Sequence, residues 1–232
     1  MTVGSGVERG KEDFIMIESA VYQGQFGEFT ITDQDRQGVI IYRSALMISA
    51  IVFCLATLLV IVPQDFIDRS NTLNIVTGLY LIGSISLGIS LATIHIYLEV
   101  LHRALQIFWA IGCISATIIA WQSPDPLVLT VYQQPLTLFG IGFTFVALTG
   151  IFFKEAFCFN RFETKILTLL VPLLLLGHLA NLIPQNIEAI LLATWAGLFL
   201  IFATRKAIQP IPPDIGDKSV FDYLEIQKTK SA

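Results

Sequence analysis

SALMISAIVFCLATLLVIV, residues 44–62, holds nineteen positions without a charged side chain. At 1.5 Å of rise per residue such a helix covers about 28 Å, close to the ~30 Å hydrocarbon core of a bilayer. Backbone that crosses lipid must satisfy its own hydrogen bonds, so the stretch is helical. Five further apolar runs have the same character: residues 74–96, 104–121, 135–153, 166–182 and 187–203. None has the polar face that a helix of a soluble bundle turns to water. The fold class is therefore all-α, a polytopic membrane helical bundle of six transmembrane helices. The expected organisation is a tail of residues 1–43, a membrane domain of residues 44–203 and a proline-containing tail of residues 204–232.

The rest of the chain agrees. Of 232 residues, 54% are hydrophobic and 14% charged, against about 25% charged in a soluble domain. The mean hydropathy is +0.71. These values exclude disorder, a disulfide-stapled module and an ordinary soluble enzyme. A net charge of −4 argues against nucleic-acid partners. Three cysteines cannot all pair, and Cys54 and Cys113 lie in apolar runs, so no disulfide framework is implied.

Alternating the six spans places 13 of the 14 lysines and arginines on one side and only Arg69 on the other. The positive-inside rule then puts both termini and both basic loops at the cytoplasmic face. The first 30 residues are polar and acidic, without the apolar core of a signal peptide, so the first span is expected to act as its own insertion signal. Residues 19–32 alternate β-formers with Gly24 and Gly27, which suggests a short extended or hairpin segment. Thr32-Asp-Gln-Asp35 fits a helix start signal near Asp33. Pro210, Pro212 and Pro213 must stop the last helix, and residues 219–224 beyond them are apolar enough to dock.

Ser84, Gly88, Ala92, His95, Glu99 and His102 follow one another by three or four residues, so on one continuous helix they share a stripe. Small residues let a neighbouring helix approach closely, and an ionisable group at membrane depth turns toward the bundle. Ser84, Gly88, Ala92 and His95 are accordingly expected to form a helix-packing face. Glu99-Val-Leu-His102 is an E-x-x-H motif, which di-iron bundles use in pairs, and this sequence has no second copy. His178 falls at a different expected depth from His95 and His102. No metal site is expected.

Lys154-Glu-Ala-Phe-Cys-Phe-Asn-Arg-Phe-Glu-Thr-Lys165 packs five charges and three phenylalanines into one loop. Orientation accounts for its basic residues but not for Glu155, Glu163 or Cys158. Pairing of Arg161 and Glu163 with Glu99 and Arg103 across helix ends would rigidify the bundle. The candidate functional cluster is thus Glu99, His102, Arg103, Lys154, Glu155, Cys158, Arg161 and Glu163, with a structural network favoured over a catalytic one. His178 and Asn181 form a second polar spot, expected deep in the fifth helix beyond a bend at Pro172. A histidine within a span can also ligate the magnesium of a pigment.

Residues 21–33, 93–97, 101–106, 143–161 and 210–224 together resemble an uncharacterised integral membrane protein family of cyanobacteria and chloroplasts. The stretches that carry the likeness include Val-Tyr-Gln-Gly-Gln-Phe-Gly-Glu-Phe from Val21 and Phe-Lys-Glu-Ala-Phe-Cys-Phe-Asn-Arg ending at Arg161. The family brings no established reaction, cofactor or catalytic residue. The resemblance implies a thylakoid or cytoplasmic membrane and a link to photosynthesis. The leading expectation is a non-catalytic auxiliary or assembly factor that docks a larger membrane complex through its cytoplasmic face, with membrane lipids as its other contacts. The alternatives are a small transporter or a lipid- or quinone-modifying enzyme using the Glu/His/Arg cluster, and a pigment-binding protein. No cofactor is expected under the leading reading; chlorophyll or carotenoid belongs to the last.

Overall fold

The computed structural model describes residues 21–62, 69–96, 98–220, 223, 226 and 229. They fall into two units, one of residues 33–216 and one joining residues up to 32 with those from 217 onward. Residues 63–68, part of the connection expected between the first two spans, and Phe221 and Leu224 of the tail lie outside the described residues.

The unit formed by the terminal segments contains a two-stranded antiparallel hairpin, β1 (Val21–Gln23) and β2 (Glu28–Thr30), with Tyr22 opposite Phe29. Their rings stack at 5.6 Å. The turn closes through the Gly24 amide donating to the Gly27 carbonyl at 2.8 Å, and Gly27 sits at φ +151°. The backbone amides of Gln25 and Phe26 donate to the Asp217 carboxylate and the Ser219 hydroxyl, at 2.6 and 3.0 Å. A Cβ on Gly24 would lie 2.2 Å from Asp217 Oδ1, so a larger residue there would have to displace the Asp217 and Ser219 side chains from the turn. Phe26 stacks on Tyr223 at 4.0 Å.

The unit of residues 33–216 is helical: α1 (Asp33–Ile61), α2 (Arg69–Thr93), α3 (Glu99–Gln122), α4 (Leu127–Gln133), α5 (Leu138–Phe159), α6 (Phe162–Leu179), α7 (Gln185–Ala207) and α8 (Pro212–Ile215). Six of these are long and apolar enough to cross a membrane, the fifth element counted from Pro135. They pack as a closed ring in the order α1, α2, α3, α5, α6, α7 and back to α1. Inside it Leu46, Ala50, Ile151, Phe152, Leu167 and Phe202 are fully buried. Phe152 meets Phe199 and Phe202 edge-on at 5.2 and 5.8 Å, the geometry that aromatic quadrupoles favour. Leu169, Leu173 and Leu176 point outward, as apolar side chains do when the surrounding solvent is lipid.

The start of α1 agrees with expectation, and the ends of several other helices differ from it. α1 begins at Asp33 with Asp33 and Asp35 in its first turn, where carboxylates complement the helix dipole. α2 stops at Thr93, so the continuous stripe through His102 does not exist. Thr93, Ile94 and Ile96 are β-branched and continue a helix poorly. From α3, His102 Nε2 and Gln106 Nε2 reach the Leu91 carbonyl at 2.6 and 3.3 Å, and this carbonyl is one of those left open at the end of α2. Ser84 remains buried, Gly88 lies against the Trp109 ring, Ala92 is exposed, and His95 is half-buried beside Gly38 outside any helix.

α6 continues through Pro172 and ends before Asn181. The Leu182 amide donates to the Gly177 carbonyl and the Asn181 amide to the His178 carbonyl, a Schellman turn with Asn181 left-handed at φ 53°. Asn181 is therefore an exposed turn residue and not part of a spot deep in the helix. The connection between α3 and α5 is not a plain loop, since it carries α4. Leu127 of α4 is buried, and the helix packs on α2 and α3.

Candidate functional site

Charged residues gather where α1, α5, α7 and α8 converge. Tyr42 and Arg43 interrupt an apolar run of α1, Lys154 and Glu155 lie in the last turns of α5, and Lys206 ends α7. Prolines then stop the chain from continuing as a helix, and Pro212–Ile215 folds back as α8 with Asp214 buried. Glu155 and Lys206 are each 0% exposed.

Glu155 accepts from Lys154 Nζ at 2.9 Å and from the Tyr42 hydroxyl at 3.2 Å on one oxygen, and from Lys206 Nζ at 2.6 Å on the other. Lys206 also donates to Asp214 Oδ1. The second oxygen of Asp214 is held by Arg43 Nε and Nη2, at 2.8 and 2.7 Å. Arg43 further donates to the carbonyls of Gln209 and Pro210. The Phe159 ring covers this end, with Lys206 Nζ 4.1 Å and Arg161 Cζ 5.7 Å from its centroid. A chain of alternating charges thus runs Lys154, Glu155, Lys206, Asp214, Arg43. Ions taken out of water are tolerated only with this degree of pairing.

A second, shallower group adjoins it. Arg161 donates to the Gln209 side chain and stands 4.0 Å from Glu163, whose other oxygen accepts from Arg205 at 2.8 Å. Arg161 Nη1 and Glu163 Oε1 are buried without a hydrogen-bond partner. Arg161 and Glu163 therefore take their partners from α7 and the segment after it rather than from Arg103, which is exposed and bonds Gln106 at 3.4 Å. His102 is occupied with Leu91, Glu99 is exposed in the first turn of α3, and Cys158 is exposed near the end of α5. Of the eight expected cluster residues, Lys154 and Glu155 enter the sealed network and Arg161 and Glu163 its neighbour. Tyr42, Arg43, Lys206 and Asp214 were missed. A tyrosine–arginine pair inside an apolar run was the available signal, while Asp214 depends on how the tail folds back.

At the opposite end of the ring, His178 Nδ1 is 2.7 Å from Glu188 Oε1, and its Nε2 is 3.2 Å from the Tyr132 carbonyl. The Tyr132 and His178 rings stack at 5.0 Å, and the Tyr132 hydroxyl reaches Glu188 at 3.5 Å. Among the described residues no three His, Cys, Asp or Glu side chains converge as metal ligands.

Residues 89–223, more than half of the chain, match the model of a family described as "Uncharacterized integral membrane protein (DUF2301)". The chain belongs to this family. The match takes in Glu155, Lys206 and Asp214 of the network, together with His178 and Glu188, and leaves out Tyr42 and Arg43. No curated protein and no solved structure matches the chain.

Proposed function

We propose that the protein is a non-catalytic auxiliary or assembly factor, and that it engages a larger membrane complex through the end that carries its basic residues. The observation behind this reading is the closure of the Glu155–Lys206–Asp214 network. Both oxygens of Glu155 are engaged by protein donors and the group is fully buried, so it presents no exposed oxygen to a substrate. A transporter or modifying enzyme built on Glu155 and Arg161 would need those groups reachable. Just outside the network, Phe157 and Phe162 are 83% and 74% exposed on either side of Arg161 and Cys158. Aromatic side chains beside arginine are the residues that most often anchor an interface.

The basic asymmetry supports placing both termini in the cytoplasm or its stromal equivalent. The resemblance noted above supports a thylakoid or cytoplasmic membrane, with a photosynthetic complex as the partner. Purification of the tagged chain under mild detergent should recover one membrane complex in constant ratio. The double substitution Phe157→Ala and Phe162→Ala should release it without altering protein level. Recovery of no complex, or an unchanged one with the double variant, would end this reading. A reporter fused after Ala232 should read as cytoplasmic, and a periplasmic or lumenal signal would reverse the assigned orientation.

A further inference from the structure

The ring of helices encloses a cavity of about 560 Å³, bounded by α1, α2, α4, α5, α6 and α7. Small-molecule sites span roughly 300–1,000 Å³. Along α7 its lining extends from Gln185 to Phe199, about 21 Å at 1.5 Å per residue. That exceeds the thickness of one leaflet's hydrocarbon, about half of ~30 Å. Its wall is aliphatic and aromatic, as in Phe53, Leu73, Leu87, Ile141, Leu192 and Phe199.

Several polar groups in that wall are already spent within the protein, while the indole nitrogen of Trp195, which also lines it, is buried without a partner among the described residues. The Tyr80 hydroxyl is 3.1 Å from Thr144 Oγ1, Ser84 Oγ is 3.2 Å from Cys113 Sγ, and Ser49 Oγ donates to the Gly83 carbonyl at 3.2 Å. Polar groups gather instead at one end, where Arg69, Tyr132, His178, Gln185 and Glu188 line the mouth. Glu188 is engaged by His178 and Tyr132. Arg69 is exposed, and among the described residues no carboxylate pairs with it. The mouth therefore offers a cation that no described carboxylate pairs with, above a long apolar shaft.

We infer that the cavity binds an anionic long-chain amphiphile, with the hydrocarbon tail running down the shaft and a carboxylate or phosphate head at Arg69. A guanidinium recognises either head by charge-assisted hydrogen bonds. This inference does not depend on the proposed docking role.

Tryptophan fluorescence tests it. The chain's three tryptophans are Trp109, Trp121 and Trp195, and Trp195 lines the cavity. In the full chain carrying Trp109→Phe and Trp121→Phe, purified in detergent, brominated stearate should quench Trp195 with saturation. Ala189→Phe and, separately, Val76→Phe place a ring in the cavity and should abolish that saturable quenching. Arg69→Gln should weaken stearate binding about tenfold, as loss of one charge-assisted bond does, and leave brominated stearyl alcohol unaffected. Saturable, Ala189→Phe-sensitive quenching by a brominated phosphatidic acid, with none by stearate, identifies the head as phosphate from the bilayer. The reverse identifies a free carboxylate. Quenching that never saturates, that survives both cavity-filling variants, or that is as tight for the alcohol as for both anions overturns the inference.

Discussion

Removing the carboxylate of Glu155 would leave the ammonium groups of Lys154 and Lys206 without their shared counter-charge in a site closed to water. Deleting one member of a buried pair typically costs about 3–5 kcal/mol. Glu155→Gln should therefore lower the melting temperature in detergent sharply, and the added change Lys206→Met should recover part of the loss. A single-variant cost below about 1 kcal/mol would mean that the network is not sealed. Asp217 makes a different case, since it lies outside the spans and is held by exposed contacts. The Ser219 hydroxyl and the Gln25 amide keep its carboxyl below the usual carboxylate range. A depressed value of this kind favours the clamped hairpin at neutral pH, and the benefit disappears as pH falls through the folded value, below about 3.9. The Gln25 amide resonance should follow that titration, and Asp217→Asn should flatten it. A Gln25 shift that is independent of pH between 2 and 6 would refute the assignment.

Among the elements, the six spans were legible because each must offer enough apolar residues to cross lipid, and Leu46 or Phe199 advertises that in any window. Their ends were not. The expected span runs on to Ile96, yet α2 ends at Thr93, where His102 and Gln106 of the next helix take its open carbonyl. α4 escaped notice for a related reason, since a helix of seven residues is too short to produce a period and is stabilised by what it covers. Close approach of α3 and α5 is set by glycine. A Cβ on Gly112 would lie 2.5 Å from the Thr144 backbone nitrogen, which cannot move as a flexible side chain can. Gly112→Ala should therefore destabilise the bundle by about 1–3 kcal/mol. Gly197, also within a helix but with nothing within 4 Å of its Cβ position, should accept alanine without loss or gain slightly. Equal melting temperatures for the two variants would show that α3 and α5 are not packed this closely.

For the whole molecule, the excess of Glu155 and Glu163 in a basic loop was readable as a departure from what orientation requires, and the structure brings both into paired networks. The partners were not readable, because Arg43 and Asp214 are 171 positions apart and meet only once α1, α7 and α8 are assembled. That distance along the chain has a consequence for biogenesis. A ribosome delivers Arg43, Lys154, Glu155 and Lys206 before it delivers Asp214. Until then three cations share one carboxylate at the membrane surface, an arrangement that the bilayer tolerates poorly. The tail therefore acts as a completion signal, and a chain that has not yet received it should be visible to quality-control proteases. A version stopped after Ala207 should insert but decay faster than the full chain in a pulse–chase experiment. Adding Arg43→Gln to the stopped chain removes one surplus cation and should lengthen its half-life. Equal lifetimes for the stopped and full chains would show that Asp214 is not what marks the protein as finished.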